Sequence, residues 1–182
     1  INGFSMSRDG TRLFYVDQGD GGDAPVLKTL SLSPAFDITS GTEIHSVDLF
    51  TIGLDDDDGV QAARDVEFSP DGSQMFIAVY NLGDKTNNQI HQFNLGKNFD
   101  VSTATDLGHH TIVYPDGPTG NFWGMSFSSD GMHLFITQLD SPAGRVDQVH
   151  QYTLECPYGI ISCSSDASQI IVSQVELAKQ NI

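Results

Sequence analysis

The feature that most constrains the fold is a hairpin-like motif that occurs three times. It reads FSMSRDGTRLFYV at residues 4–16, VEFSPDGSQMFIAV at 66–79 and MSFSSDGMHLFIT at 125–137. In each copy an alternating apolar run is broken by an Asp-Gly pair, whose glycine supplies the positive φ that a tight hairpin turn needs. The motif therefore predicts three pairs of antiparallel strands.

The similarity extends beyond the hairpins. VLKTLSLSPAFDIT (26–39) aligns with QIHQFNLGKNFDVS (89–102) and QVHQYTLECPYGII (148–161), and further strand-like runs follow the first two. Each unit is thus predicted to hold four short strands. Repeated four-stranded sheets without helices between them are typical of β-propeller blades. The alternative, a β-sandwich of unrelated hairpins, does not explain the repeat.

We therefore predict an all-β fold, a single β-propeller half over residues 1–182. Blade 1 is expected at about 1–52, blade 2 at about 62–114 and blade 3 at about 121–178. The last strand of blade 3 is expected from SQIIVSQVEL (168–177), or QVELAKQNI begins a helix there instead. The chain begins at Ile1 without an initiator methionine, which indicates a processed product or a piece of a larger protein.

Three blades are too few to close a ring, because propellers have about four to eight blades. An open ring would leave two apolar blade faces in water. Two chains related by a two-fold axis are therefore expected to form a six-bladed homodimer. The alternative is that the missing blades belong to a longer polypeptide.

The repeat pattern is similar to that of a known group of proteins. FS-x-DG-x-x-LF followed by Q-x-x-L-x-x-x-FD-(I/V)-S-T-A-T resembles the propeller repeats of large secreted, surface and phage-associated proteins of marine bacteria. The end, SQVELAKQNI, resembles the linker toward an autotransporter-type barrel in some of them. Blade 3 departs from the pattern, since Gly159 replaces the aspartate found at 37 and 100. The resemblance implies a propeller in an extracellular or surface setting, and it brings no catalytic residues.

The charge of the chain excludes some partners. It has 24 acidic and 8 basic residues, a formal net charge of −16. Nucleic acid and anionic membrane surfaces are therefore not expected as partners. No apolar run approaches the roughly 18 residues needed to span a bilayer, so this segment is not expected to insert into a membrane.

An aspartate cluster is the first candidate site. The long loops predicted on one face of the propeller carry 12 of the 24 acidic residues, and GLDDDDGV (53–60) is the densest of them. Carboxylates in a glycine-containing loop are the oxygen ligands that Ca²⁺ prefers. A possible Ca²⁺ site at Asp55, Asp56, Asp57 and Asp58 stands beside the alternative of a solvated acidic loop.

A second candidate site is the aromatic loop PDGPTGNFWG (115–124). An aromatic platform flanked by amide and carboxylate groups is a common arrangement for holding sugars and apolar ligands. In the alternative, Trp123 packs between blades. The predicted ligand-binding residues are Asn121, Phe122, Trp123, Asp116 and Tyr80.

Two cysteines are close in sequence, Cys156 and Cys163 in CPYGIISC. A loop of this length with Pro and Gly can bring the sulfurs together, so a disulfide is predicted, with two free thiols as the alternative. A disulfide in an acidic, lysine-poor chain favours an extracellular, marine setting.

These features favour a non-enzymatic extracellular or cell-surface binding or adhesion module that recognises a protein or a carbohydrate through its acidic loop face. The sequence contains no G-x-S-x-G, H-E-x-x-H or phosphate-binding glycine loop. The alternative is a propeller hydrolase or lactonase with a divalent cation in the central channel, for which Asp65 is the one carboxylate expected at a channel entrance. A structural role in a larger surface fibre is a third possibility.

Overall fold

The computed structural model describes residues 1–17, 24–54, 61–81, 88–112, 121–139, 148–161 and 173–175. These residues form three antiparallel sheets of four strands, in which consecutive strands pair. The predicted all-β class and the three four-stranded sheets are confirmed. Within these ranges no helix has the length and apolar character to cross a bilayer.

The strands follow the order of the repeat. The first sheet, blade 1, consists of β1 Phe4–Met6, β2 Arg12–Asp17, β3 Val26–Ser31 and β4 Thr42–Asp48. Blade 2 consists of β5 Gln61–Phe68, β6 Gln74–Asn81, β7 Asn88–Leu95 and β8 Ala104–Ile112. Blade 3 consists of β9 Asn121–Phe127, β10 His133–Leu139, β11 Gln148–Thr153 and β12 Ser173–Val175. Short 3₁₀ segments occupy Ile38–Ser40, Leu49–Ile52 and Val101–Thr103.

The last strand decides between the two predictions for the final segment of the sequence, a fourth strand of blade 3 or the beginning of a helix. Residues 173–175 pair antiparallel with β11, with Gln151 opposite Val175 and Thr153 opposite Ser173. The described part of 168–177 is therefore a strand rather than the beginning of a helix.

The first strand of each blade forms the inner edge of the molecule. β5 lies beside β1 and β2 on one side and beside β9 on the other. The three first strands are therefore neighbours, as they are in a propeller whose first strands surround an axis.

The Asp-Gly turns explain why the hairpin motif recurs. In blade 2 the carboxylate of Asp71 accepts hydrogen bonds from Ser69 Oγ (2.7 Å), Ser73 N (3.1 Å) and Ser73 Oγ (2.9 Å). Gly72 follows with a φ of 72°, and a Cβ there would overlap the ring of Phe99. The turns of the other two blades are built in the same way around Asp9 and Asp130.

One aromatic residue per blade ties the loop before the fourth strand to that blade's own Asp-Gly turn. Phe36, Phe99 and Tyr158 have φ of 64°, 60° and 59°, a conformation that is uncommon for bulky residues. Their backbone N–H groups donate to the carbonyls of the turn glycines at 2.8 to 2.9 Å. This bond and the ring over the glycine hold the backbone in place.

Two apolar cores lie between neighbouring blades, and β6 contributes to both. Met75, Ile77 and Val79 belong to the core shared with blade 1. Phe76 and Ala78 belong to the core shared with blade 3. Because alternate side chains of a strand point to opposite faces, a strand covered on both faces needs an unbroken apolar run. This explains the run MFIAV in the middle blade.

Candidate functional site

The inner strands present two carboxylates in the middle blade where the flanking blades have small residues. Counting back from the aspartate of each turn, the positions six and four residues earlier are Gly3, Asp65 and Gly124, and Ser5, Glu67 and Ser126. Residues two apart in a strand point to the same face. Asp65 and Glu67 therefore form a pair on the inner strand β5.

Asp65 is held between the two flanking inner strands. Its Oδ1 accepts from its neighbour Val66 N at 3.0 Å, and its Oδ2 accepts from Met125 N of β9 at 2.8 Å. A Cβ at Gly3 would overlap Asp65, and one at Gly124 would lie 3.4 Å from its Oδ2. The small residues of the flanking blades thus make room for this carboxylate.

Glu67 lies between two serine positions. Ser5 Oγ of β1 donates to Glu67 Oε2 at 3.0 Å, and Ser126 on β9 lies near enough to the Glu67 carboxylate to lower its pKa. The two serines thus flank the carboxylate from both neighbouring blades. Glu67 is half-buried, so part of its side chain remains accessible to solvent.

Burial changes the protonation of both groups. It raises the pKa of Asp65 to about 6, although two backbone N–H bonds oppose the shift. It raises the pKa of Glu67 to about 7, against the bond from Ser5 and with the nearby Asp65 charge adding to the rise. At neutral pH Glu67 is therefore divided between acid and base forms, which is the condition for general acid–base catalysis.

A β-bulge places Arg64 and Trp123 at the other end of the inner strands. Ala63 and Asp65 pair with consecutive residues of β6, which leaves Arg64 as the extra residue. Trp123 is the extra residue at the equivalent position of blade 3. The Arg64 guanidinium lies 5.1 Å from the Trp123 ring centroid and 5.3 Å from that of Tyr80. These distances allow cation–π contacts, and bulges of this kind often aim side chains near functional sites.

Glu67 lines a cleft on the side of the molecule that carries the Asp-Gly turns. The cleft measures about 410 Å³, and its lining includes Ser5, Glu67 and the polar turn residues Arg8, Ser69 and Ser129. It runs between inner-strand and turn residues of all three blades. Arg64 and Trp123 lie three or more residues from Glu67 along the strand direction, so the two groups of residues mark opposite ends of one axial surface.

The axial pair is not a metal site by itself. Among the described residues no three His, Cys, Asp or Glu side chains come together as a set of metal ligands. The part of the chain that the structure describes thus supplies no ligand set for the divalent cation that the lactonase alternative places in the channel. The proposed Ca²⁺ ligands Asp55, Asp56, Asp57 and Asp58 lie outside the described residues.

The predicted ligand-binding residues have different environments. Trp123 is 46% exposed, whereas Phe122 is fully buried in the core and Tyr80 is 4% exposed. Trp123 is therefore the accessible aromatic group, and it packs on Arg64. Asp116 lies outside the described residues, and Asn121 begins β9 with its side chain outside the description.

The predicted disulfide falls partly within the described residues. Cys156 is disulfide-bonded. Cys163 is the other cysteine of the sequence and lies outside the described residues.

Sequence reasoning identified Asp65 at the channel but missed Glu67 and Arg64. Both could have been found in the repeat alignment, because an acidic residue stands where two serines occur and a basic one where asparagine and tryptophan occur. The signal is a charged residue at a repeat position where the other two copies have a small or neutral residue.

Comparisons with known proteins support the fold. No protein-family model matches the chain, and no curated protein matches it in sequence. Among solved structures it is similar to a periplasmic gluconolactonase of Pseudomonas aeruginosa, with a TM-score of 0.53 and 18% identity. The match covers 84% of this chain and 39% of that one, so the chain spans about two fifths of the length of that protein. At this identity the likeness shows the fold alone: the chain has the fold of part of a β-propeller.

Proposed function

We propose that the chain is part of a propeller hydrolase that opens lactones, with Glu67 as its acid–base residue and Asp65 as the neighbouring carboxylate that helps to raise the pKa of Glu67. The carrying observation is the carboxylate pair on the inner strand, whose pKa values are raised to about 6 and about 7. The likeness to the fold of a gluconolactonase supports this choice of reaction over a purely adhesive role.

The proposed reaction needs a water molecule and one proton carrier. Ionised Glu67 removes a proton from water as the water oxygen bonds to the lactone carbonyl carbon. The ester C–O bond of the tetrahedral intermediate then breaks, and Glu67 returns the proton to the departing ring oxygen. Lactone plus water becomes one hydroxy acid. Ser5 and Ser126 flank Glu67, and the Asp65 charge helps to raise its pKa.

Hydrolysis of a panel of γ- and δ-lactones, gluconolactone included, tests this proposal. Glu67→Gln keeps the size of the side chain and removes its basicity. We expect kcat/KM to fall by roughly 10²-fold or more. Glu43→Gln is the matched control, because Glu43 lies on the outer strand β4 with 47% of its side chain exposed. Wild-type protein that opens none of the lactones, or a Glu67→Gln variant as active as wild type, would contradict the proposal.

A binding role, favoured by the sequence, is the second candidate function. The observation for it is the exposed Trp123 packed on Arg64, since aromatic rings with adjacent polar groups hold sugars. A glycan array with the Trp123→Ala variant as control distinguishes it. Binding that Trp123→Ala abolishes and Glu67→Gln preserves would favour recognition without catalysis.

We also propose an extracytoplasmic location. Its support is the disulfide at Cys156, because disulfides persist in oxidising compartments. We propose in addition that the chain is associated with surface proteins of marine bacteria. We also propose that its acidic loops contribute to ligand binding. Cell fractionation with an antibody against the chain tests the location, and recovery in the cytoplasm would refute it.

A further inference from the structure

The two internal blade junctions are built from equivalent aromatic groups. Between blades 1 and 2, the ring of Phe14 lies 4.2 Å from that of Phe68 and 6.1 Å from that of Phe99. Between blades 2 and 3, the ring of Phe76 lies 4.6 Å from that of Phe127 and 6.5 Å from that of Tyr158. The earlier blade supplies one ring from its second strand, and the later blade supplies the other two.

The second junction also contains a polar clamp. Gln92 of β7 is 1% exposed. Its Oε1 accepts from Ile160 N at 3.0 Å and Ile161 N at 2.9 Å, and its Nε2 donates to Tyr158 O at 3.2 Å. The clamp joins the third strand of one blade to the loop of the next.

The face of blade 3 that points away from blade 2 carries the first half of such a junction. Phe135 occupies the repeat position of Phe76, and Gln151 occupies that of Gln92. Val149 is 50% exposed, whereas Leu27 and Ile90 at the same position in the other blades are fully buried. The difference arises because blades 1 and 2 are covered by a following blade.

The face of blade 1 that points away from blade 2 carries the second half of such a junction. Ile38 is 63% exposed, whereas Val101 and Ile160 at the equivalent positions are 0% and 2% exposed. Phe36 is 64% exposed at the position of Phe99. Within the 182-residue chain, blade 2 covers only the opposite face of blade 1, so these side chains stay exposed.

We propose that a second copy of this chain covers both faces, with blade 3 of each copy against blade 1 of the other. Phe135 and Val149 of one copy would pack on Phe36 and Ile38 of the second. Gln151 would lie at the repeat position of Gln92, but Thr39 N of blade 1 already donates to Asp37, so only part of the clamp would form. The arrangement continues an interface that the chain already forms twice. Two copies give six blades, within the range that closes, and three copies would give nine.

The second copy also completes the axial surface. The cleft at Glu67 is lined by Ser5, Glu67 and turn residues of this chain. In the ring, the inner strands of the second copy close its open side and bring a second Asp65–Glu67 pair to the axis. This inference rests on the molecular mass in solution, whereas the proposed function rests on the rate of lactone hydrolysis. Either proposal can therefore fail without the other.

Light scattering on the 182-residue chain tests the proposal. We expect a mass of twice 19.7 kDa for wild type, and 19.7 kDa for Val149→Asp and for Ile38→Asp. The matched control is Leu107→Asp, because Leu107 is 39% exposed on the outer strand β8 of the middle blade. This variant should remain a dimer.

Mixing the variants separates loss of contact from loss of fold. Val149→Asp spoils one face of its chain and Ile38→Asp the other, so a mixture has one intact junction per pair. We expect the mixture to form dimers that neither variant forms alone, while far-ultraviolet circular dichroism of both matches wild type. A wild-type monomer at all concentrations, a wild-type mass other than two copies, or a mixture that stays monomeric would overturn the proposal.

Discussion

At the scale of single residues, the turn glycines do two things at once. Gly72 has a φ of 72°, and the ring of Phe99 occupies the space of its missing Cβ. Gly10 and Gly131 have the same relation to Phe36 and Tyr158. The glycine is thus required by backbone conformation and by packing together.

We expect Gly72→Ala to lower the free energy of unfolding by about 1–3 kcal/mol, because it adds a strained backbone and a steric overlap. Gly96→Ala is the control: the nearest atom to its added Cβ is 3.5 Å away, an ordinary contact. Urea unfolding of the two variants measures the difference. Equal losses would contradict both the backbone strain and the steric overlap assigned to position 72.

The carboxylate pair Asp65–Glu67 shows the limit of sequence reasoning at this scale. The repeat could reveal that Asp65 and Glu67 differ from their counterparts, which are glycines and serines. It could not reveal the bonds from Met125 N and Ser5 Oγ, because these join different blades. The raised pKa values depend on burial, which only the assembled blades produce.

At the scale of elements, the alternating runs and the Asp-Gly turns were sufficient to predict the three sheets, since hairpin register is fixed locally. The bulges at Arg64 and Trp123 were not predicted, because the extra residue has no signature in either strand. They depend on pairing with the second strand of each blade.

Blade 3 shows how one element compensates for a missing residue in another. Asp37 caps the 3₁₀ segment of blade 1 by accepting from Thr39 N at 3.0 Å, and blade 3 has Gly159 instead. There Gln92 of the preceding blade accepts from Ile161 N. The bond that a local side chain makes in blade 1 is thus made across the junction in blade 3.

We expect Gln92→Ala to lower the free energy of unfolding by roughly 2–4 kcal/mol, because it leaves the buried Ile160 N–H and a neighbouring N–H without an acceptor. Asn94→Ala, an exposed position on the same strand, should change it by less than about 0.5 kcal/mol. Chemical denaturation of both variants is the measurement. A loss no greater for Gln92→Ala than for Asn94→Ala would contradict the role of the clamp.

At the scale of the whole molecule, the repeat accounts for the three similar sheets and for the two apolar junctions between them. The faces of blades 1 and 3 that point away from blade 2 repeat the two halves of these junctions, and Ile38 and Val149 on them are exposed. Of the inner strands that meet at the axis, β5 carries the carboxylate pair Asp65–Glu67. In the two-copy ring that we propose, the inner strands of the second copy would enclose this pair.

The pH dependence of lactone hydrolysis tests the central claim most directly, because kcat/KM reports the pKa of the free enzyme's essential groups. Glu67 must be ionised to act as the base, and burial raises its pKa to about 7. After subtraction of the uncatalysed reaction, kcat/KM of wild type should rise as the pH increases through about 7, and Glu67→Gln should lack this rise. A profile that is flat between pH 5 and 8, or one that Glu67→Gln leaves unchanged, would contradict the assignment of Glu67 as the catalytic base.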